Sequence, residues 1–369
     1  MDIELSRRIA IARYLMIIGI VILHMPPFQP LSAYSLSPFD TLRGTLTFGV
    51  FRATVPFLTA ISGYLLFSSG LDKNVLALFR KKTKTILVPL LIWNLPLLPI
   101  LYFIQKSGYS SHGFSIKLYP FDAKLWLDAA TGVFSLPLNY PTHFLRDLFA
   151  LALVAPVLGL FLRKSPYLGL AAVVAVYWYN LDGAYLLRES MLLAFYIGGM
   201  AAVLKWNLRR LDPVAPFMLI GLLAMATAIA VFKIQNREWF ALVSPLFVWP
   251  CISLIANTRF GALLHRHSKA SFFTFLAHGP VLIGVWLLFQ KFSGSVPYPV
   301  FWFVTPMVVV VGCALAHRLF WHATPRLAQI ALGDRGTASR SSVSILRRPL
   351  PDRTPYDSEN THTAKSPSA

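Results

Sequence analysis

The stretch RYLMIIGIVILH, residues 13–24, sets an arginine and a histidine eleven positions apart across mostly apolar sequence. On an α-helix eleven residues make about three turns plus 20°, so Arg13 and His24 share one face, roughly 16 Å apart along the axis. Ionisable groups in an apolar helix are costly and usually face a bundle interior. A histidine titrates near neutrality and can take a proton from a hydroxyl nucleophile. An arginine can hold a phosphate or carboxylate, or steady a developing oxyanion. Each residue also has a plainer reading: Arg13 as a snorkelling anchor, His24 as an interfacial residue beside the Pro26-Pro27 turn. Their common face favours the chemical reading.

Further polar residues sit in similarly apolar surroundings. Arg52 opens FRATVPFLTAISGYLLF and is either an interfacial anchor or an oxyanion donor; within that segment Ser62-Gly63-Tyr64 reads as a close helix-packing site. His143, Arg146 and Asp147 cluster at the start of HFLRDLFALALVAPV. Asp147 suits a helix N-terminus, where the dipole favours an anion, and is equally a cap with an adjacent counter-charge. Arg146 is a natural group for a carboxylate or a sugar hydroxyl. His278 lies mid-segment in SFFTFLAHGPVL and is either a site residue or a satisfied structural histidine. Glu189 is expected to pair with Arg188 or its neighbours. The HRH at 265–267 has no acid or cysteine nearby and is a weak metal signal. Cys251 and Cys313 both sit in apolar runs and read as small core residues, with no disulfide framework and no CxxC pair.

The elements that carry these residues follow from composition. The chain has 369 residues, 56% of them hydrophobic and 13% charged, where a soluble domain has about a quarter charged. Apolar runs near 20 residues make it an all-α, polytopic transmembrane bundle, because the bilayer requires every backbone group to be paired within a helix or a closed barrel. Ten spans are expected, near 10–28, 46–68, 85–105, 144–162, 166–181, 187–204, 213–232, 239–257, 271–291 and 298–320. Basic loops at SGLDKNVLALFRKKTK, RKSP, KWNLRRLD and TRFGALLHRHSKA place both termini in the cytoplasm. The net charge of +19 is then a topology signal and an attraction to anionic lipid, not a mark of nucleic-acid binding. Residues 1–332 form the membrane domain, with an outer aromatic insert at about 106–143; residues 333–369 form a basic tail expected to be disordered. The insert's Tyr109, Phe114, Tyr119, Phe121 and Trp126 can stack on sugar faces or form an interfacial belt.

Carboxylates are scarce, 15 Asp and Glu in all, which argues against a coupled transporter. No G-x-S-x-G, P-loop or HExxH stands in the chain. What remains is histidine and arginine in a bundle, suited to general-base chemistry with anion binding.

These residues resemble a known family. RIAIARYLMIIGIVILH is similar to the first-helix signature of the membrane-bound acyltransferase family 3, an arginine and a histidine separated by ten residues. FRATVPFLTAISGYLL, RKKTKTILVPLLIW, HFLRDLFALALVAPV and SFFTFLAHGPVL resemble its later segments in the same order, so the likeness spans residues 7 to about 320. Within the family the chain most resembles the bacterial exopolysaccharide group that succinylates succinoglycan; His143 departs from the aromatic residue common before FL, leaving its role open. The resemblance implies an inner-membrane O-acyltransferase with no bound cofactor or metal. It implies transfer of succinyl, or next acetyl, from cytoplasmic acyl-CoA to a sugar hydroxyl of an exopolysaccharide or its lipid-linked precursor. Carried onto this chain, His24 is the base, Arg13 and Arg52 act with it, and His143, Arg146, Asp147 and His278 bind substrate. Arg80, Lys81, Lys82 and Lys84 dock the donor phosphates, a cluster that also reads as plain positive-inside topology. Expected partners are lipids, the glycan acceptor and the polysaccharide synthesis machinery. A glycan or lipid exporter, or a scaffold of a synthesis complex, are the rival readings.

Overall fold

The computed structural model describes residues 2–108, 116–183, 186, 190–292 and 294–334. The predicted Glu189–Arg188 pairing, the insert residues Tyr109 and Phe114, and nearly all of the tail lie outside these.

The first half contains α1 (Ile3–Leu23), α2 (Pro38–Gly44), α3 (Thr54–Ser68), α4 (Val75–Lys82), α5 (Val88–Asn94), α6 (Leu97–Lys106), α7 (Ala123–Thr131) and α8 (His143–Lys164). The second half contains α9 (Pro166–Trp178), α10 (Ser190–Val203), α11 (Ala215–Val231), α12 (Glu238–Ala256), α13 (Arg259–His267), α14 (Ser271–Lys291), α15 (Tyr298–Ala323) and α16 (Pro325–Ala331). There is no strand among the described residues. Every stretch expected to span coincides with a helix. Among the described residues seven helical stretches are long and apolar enough to cross a membrane. The other three fall short for visible reasons: α1 carries Glu4, Arg7, Arg8 and Arg13, and α9 and α10 have 13 and 14 residues.

Five of these crossing stretches join more than one helical element. Pro38–Ser68 is α2, a π-turn at Thr45–Gly49, a 3-10 turn at Val50–Ala53, then α3. Widening and then tightening the helix within nine residues re-aims the side chains that follow, and Arg52 sits in the tight turn. Gly49 is required there, because a Cβ would come within 2.7 Å of the Ala226 Cα on α11. Farther along, Gly63 and Gly198 let α3 and α10 touch backbone to backbone: a Cβ on either would overlap the Phe195 or Ala60 carbonyl oxygen. The close-packing reading of Ser62-Gly63-Tyr64 therefore holds.

The ion pairs concentrate where α1 begins. Arg8 forks onto both oxygens of Asp212 at 2.8 Å and donates to the Trp249 carbonyl at 2.6 Å. Arg209 pairs with Asp2 and with Glu4, and Arg163 with the buried Asp72. At the other end, the irregular segment after α1 is fastened by three side chains. Arg43 donates to the Pro27 carbonyl at 3.1 Å, Tyr298 to the Pro26 carbonyl at 2.9 Å, and Lys233 to the carbonyls of Leu31 and Tyr34 at 3.3 and 2.5 Å. Such donors satisfy backbone oxygens that have no helical partner.

Candidate functional site

The tripeptide His278-Gly279-Pro280 in α14 organises the site. Proline has no N–H, so Pro280 deprives the Leu276 carbonyl, four residues back, of its helical donor. The side-chain amide of Asn139 supplies one at 2.9 Å. Gly279 lets it come close: a Cβ there would meet Asn139 Oδ1 and Pro141 Cδ at 2.9 Å. Asn139 is held in turn by Asn94, whose Oδ1 accepts its N–H at 2.7 Å and whose Nδ2 donates to Thr142 at 2.9 Å. The turn entering α8 is thereby pressed onto α14, and it delivers Tyr140 and His143 to the neighbourhood of His24.

His24 caps the C-terminus of α1, and its ring meets His278. The Nδ1 of His24 lies 3.0 Å from the Nε2 of His278, with the rings 18° from parallel. The fully buried His278 has Nδ1 2.8 Å from the Phe275 carbonyl and 3.1 Å from that of Thr274. Carbonyls only accept, so His278 carries its proton on Nδ1 and presents Nε2 as an acceptor. His24 must then donate from Nδ1, which makes its Nε2 the basic nitrogen. Tyr140 stands edge-on to His24 at 5.0 Å.

His24 lines two cavities. One, of about 450 Å³, is also lined by Arg52, His143, Ser190, Gln235, Arg237 and Glu238. The other, of about 420 Å³, is lined by Pro26, Phe28, Tyr140, Trp286 and Gln290. The first is polar and rich in guanidinium; the second is aromatic. The Tyr140 hydroxyl is buried without a hydrogen-bond partner among the described residues.

Of the residues expected from the sequence, His24, Arg52, His143 and His278 converge. His143 Nδ1 donates to the Tyr140 carbonyl at 2.7 Å, and the ring lines the first cavity. Arg146 and Asp147 are elsewhere engaged: Arg146 donates to Asp147 at 2.6 Å and to the Val133 carbonyl at 2.8 Å. Neither lines either cavity; the pair fastens the insert to α8. Arg13 lies in α1, eleven residues before His24, and lines neither cavity. Arg80, Lys81 and Lys84 line a separate shallow cleft that does not include Lys82. The insert's aromatics pack on one another, Phe121 on Trp126 at 5.3 Å and Tyr119 and Trp126 on Tyr102 at 5.6 and 5.7 Å. They cover a small core of their own around Leu98, Leu101 and Leu118, away from His24. Tyr140, Trp286 and Arg237 were not singled out by sequence; Arg237, a cation in the short loop between α11 and α12, carried the one available signal.

The family described as "Acyltransferase domain" matches residues 7–318. The chain is 33% identical over 362 residues to the "Succinoglycan biosynthesis protein ExoH" of Rhizobium meliloti (strain 1021), covering 93% of this chain and 96% of that one. No solved structure matches. The matched range takes in both histidines, Arg52 and the whole turn that presses α8 onto α14, and the chain belongs to the acyltransferase-domain family as a multi-pass, all-helical acyltransferase.

Proposed function

We propose that the protein transfers an acyl group, succinyl, from acyl-CoA to a sugar hydroxyl of an exopolysaccharide or its lipid-linked precursor, at the bacterial inner membrane with both termini cytoplasmic. The observation that carries this reading is the hydrogen-bonded run from the Phe275 carbonyl through His278 to His24, ending on a basic nitrogen at two cavities. The printed name of the Rhizobium relative, a succinoglycan biosynthesis protein, supports the acceptor class.

His24 Nε2 takes the proton of the sugar hydroxyl as its oxygen attacks the thioester carbonyl. The imidazolium that forms keeps its Nδ1–H on His278, whose Nε2 accepts more strongly from a charged donor. Charge moves to the carbonyl oxygen, to which Arg52, lining the same cavity as His24, can donate. Collapse breaks the carbon–sulfur bond, and His24 returns the proton to the departing thiolate, so ester and free thiol are the products. Arg80, Lys81 and Lys84 are suited to the donor's phosphates, and the aromatic cavity with its unpartnered Tyr140 hydroxyl is suited to a sugar.

The test is proton NMR of exopolysaccharide from cells lacking the protein, complemented with the wild type or His24→Ala. One ester signal should vanish in both the null and the His24→Ala strain at normal polymer yield. Unchanged ester content per repeat with collapsed polymer yield would overturn acyl transfer in favour of export or assembly.

A further inference from the structure

The polar cavity beside His24 holds two arginines. Arg52 comes from the 3-10 turn before α3, and Arg237 from the residue that caps α12. Both guanidiniums pack at the Phe48 ring, their central carbons 5.7 and 5.0 Å from its centroid. The Nη1 of Arg237 is buried and has no hydrogen-bond partner among the described residues. Among the described residues the carboxylate that lines the same cavity is Glu238, which is exposed and forms no ion pair with Arg237. Burial pushes the Arg237 guanidinium below its usual pKa, with Glu238 pulling the other way. A partly dehydrated cation with an unused donor is costly unless an anion completes it. Phe48 offers each cation a ring face but no acceptor.

We propose that Arg237 binds the free carboxylate of a dicarboxylic acyl chain, so that the cavity selects a charged acyl group over a neutral one of equal length. This rests on the acyl-transfer reading above. Arg52, in the same cavity, stays with the thioester carbonyl, and Arg237 takes the far end of the chain. No bond is made or broken by Arg237; it supplies N–H donors to a carboxylate, in a cavity where a methyl end would leave those donors unsatisfied. An anionic group on the acceptor has the same chemistry, and the two sources separate by which substrate the selectivity follows.

The experiment uses membrane vesicles holding the full-length protein, with succinyl-CoA and butyryl-CoA as matched donors and the native polysaccharide as acceptor. Arg237→Gln should lower the succinyl-to-butyryl ratio of ester formed by about tenfold or more, the effect of losing a charge-assisted hydrogen bond, and Arg237→Lys should restore part of it. An equal fall with both donors, or no change in the ratio, overturns the proposal; the equal fall would assign the anion to the acceptor. His24→Ala should abolish transfer of both chains, which tests the acyl-transfer reading separately. A second measurement does not need turnover: monomethyl succinate should raise the thermal midpoint of the detergent-purified wild type, and of His24→Ala, but not of Arg237→Gln. Equal stabilisation of all three overturns the anion site even if transfer is never seen.

Discussion

A single proton position decides what His24 can do. Were His278 protonated on Nε2, it would donate to His24, and the Nε2 of His24 would carry a proton it could not accept twice. The Phe275 and Thr274 carbonyls forbid that state. The consequence is testable at one residue. His278→Leu should lower transfer by about a hundredfold or more, the usual worth of a positioned base. His278→Gln, whose amide can donate to the helix carbonyl and accept from His24, should keep more of the rate. The fall should appear in kcat, with KM for the acceptor little changed; equal rates for both variants would reduce His278 to a filler. The two histidines were visible as polar residues in apolar helices, but their pairing was not, because they are 254 positions apart and no spacing rule connects them. Arg146, equally visible by type, pairs with its immediate neighbour Asp147, a contact that adjacency in the sequence did suggest.

Among the elements, proline and glycine carry much of the information. The HGP sequence announces an orphaned carbonyl at Leu276 and a gap at Gly279, and Asn139 fills both. Asn139→Ala should cost about 1–3 kcal/mol by leaving the Leu276 carbonyl without a donor, read as a lower thermal midpoint in detergent. It should also reduce transfer, because Tyr140 and His143 ride on the same turn. A variant as stable and active as wild type would show that water serves the carbonyl equally well. That helices lie at the ten expected places was legible, because apolar length is a strong signal. The π and 3-10 turns ahead of Arg52 were not, since they depend on the approach of α11 to Gly49 rather than on local propensity.

At the level of the whole molecule, charge is sorted between the two ends. The basic loops expected on the cytoplasmic side are partly neutralised there by Asp2, Glu4, Asp72 and Asp212. Orientation is open to a direct check in a protein whose native Cys251 and Cys313 have been replaced by alanine. A cysteine at Ser295 should react with a membrane-impermeant maleimide in spheroplasts, and one at Lys73 only after the membrane is opened; the reverse pattern would invert the topology. The larger consequence lies in the wall on which His24 stands. A base that opens on two separate rooms need not be vacated by one reactant before it meets the next. Both reactants can be seated at once, and the acyl group can pass between them without being parked on the protein. On the proposed reaction, turnover then runs through a three-body complex rather than two half-reactions, with no obligatory order of arrival.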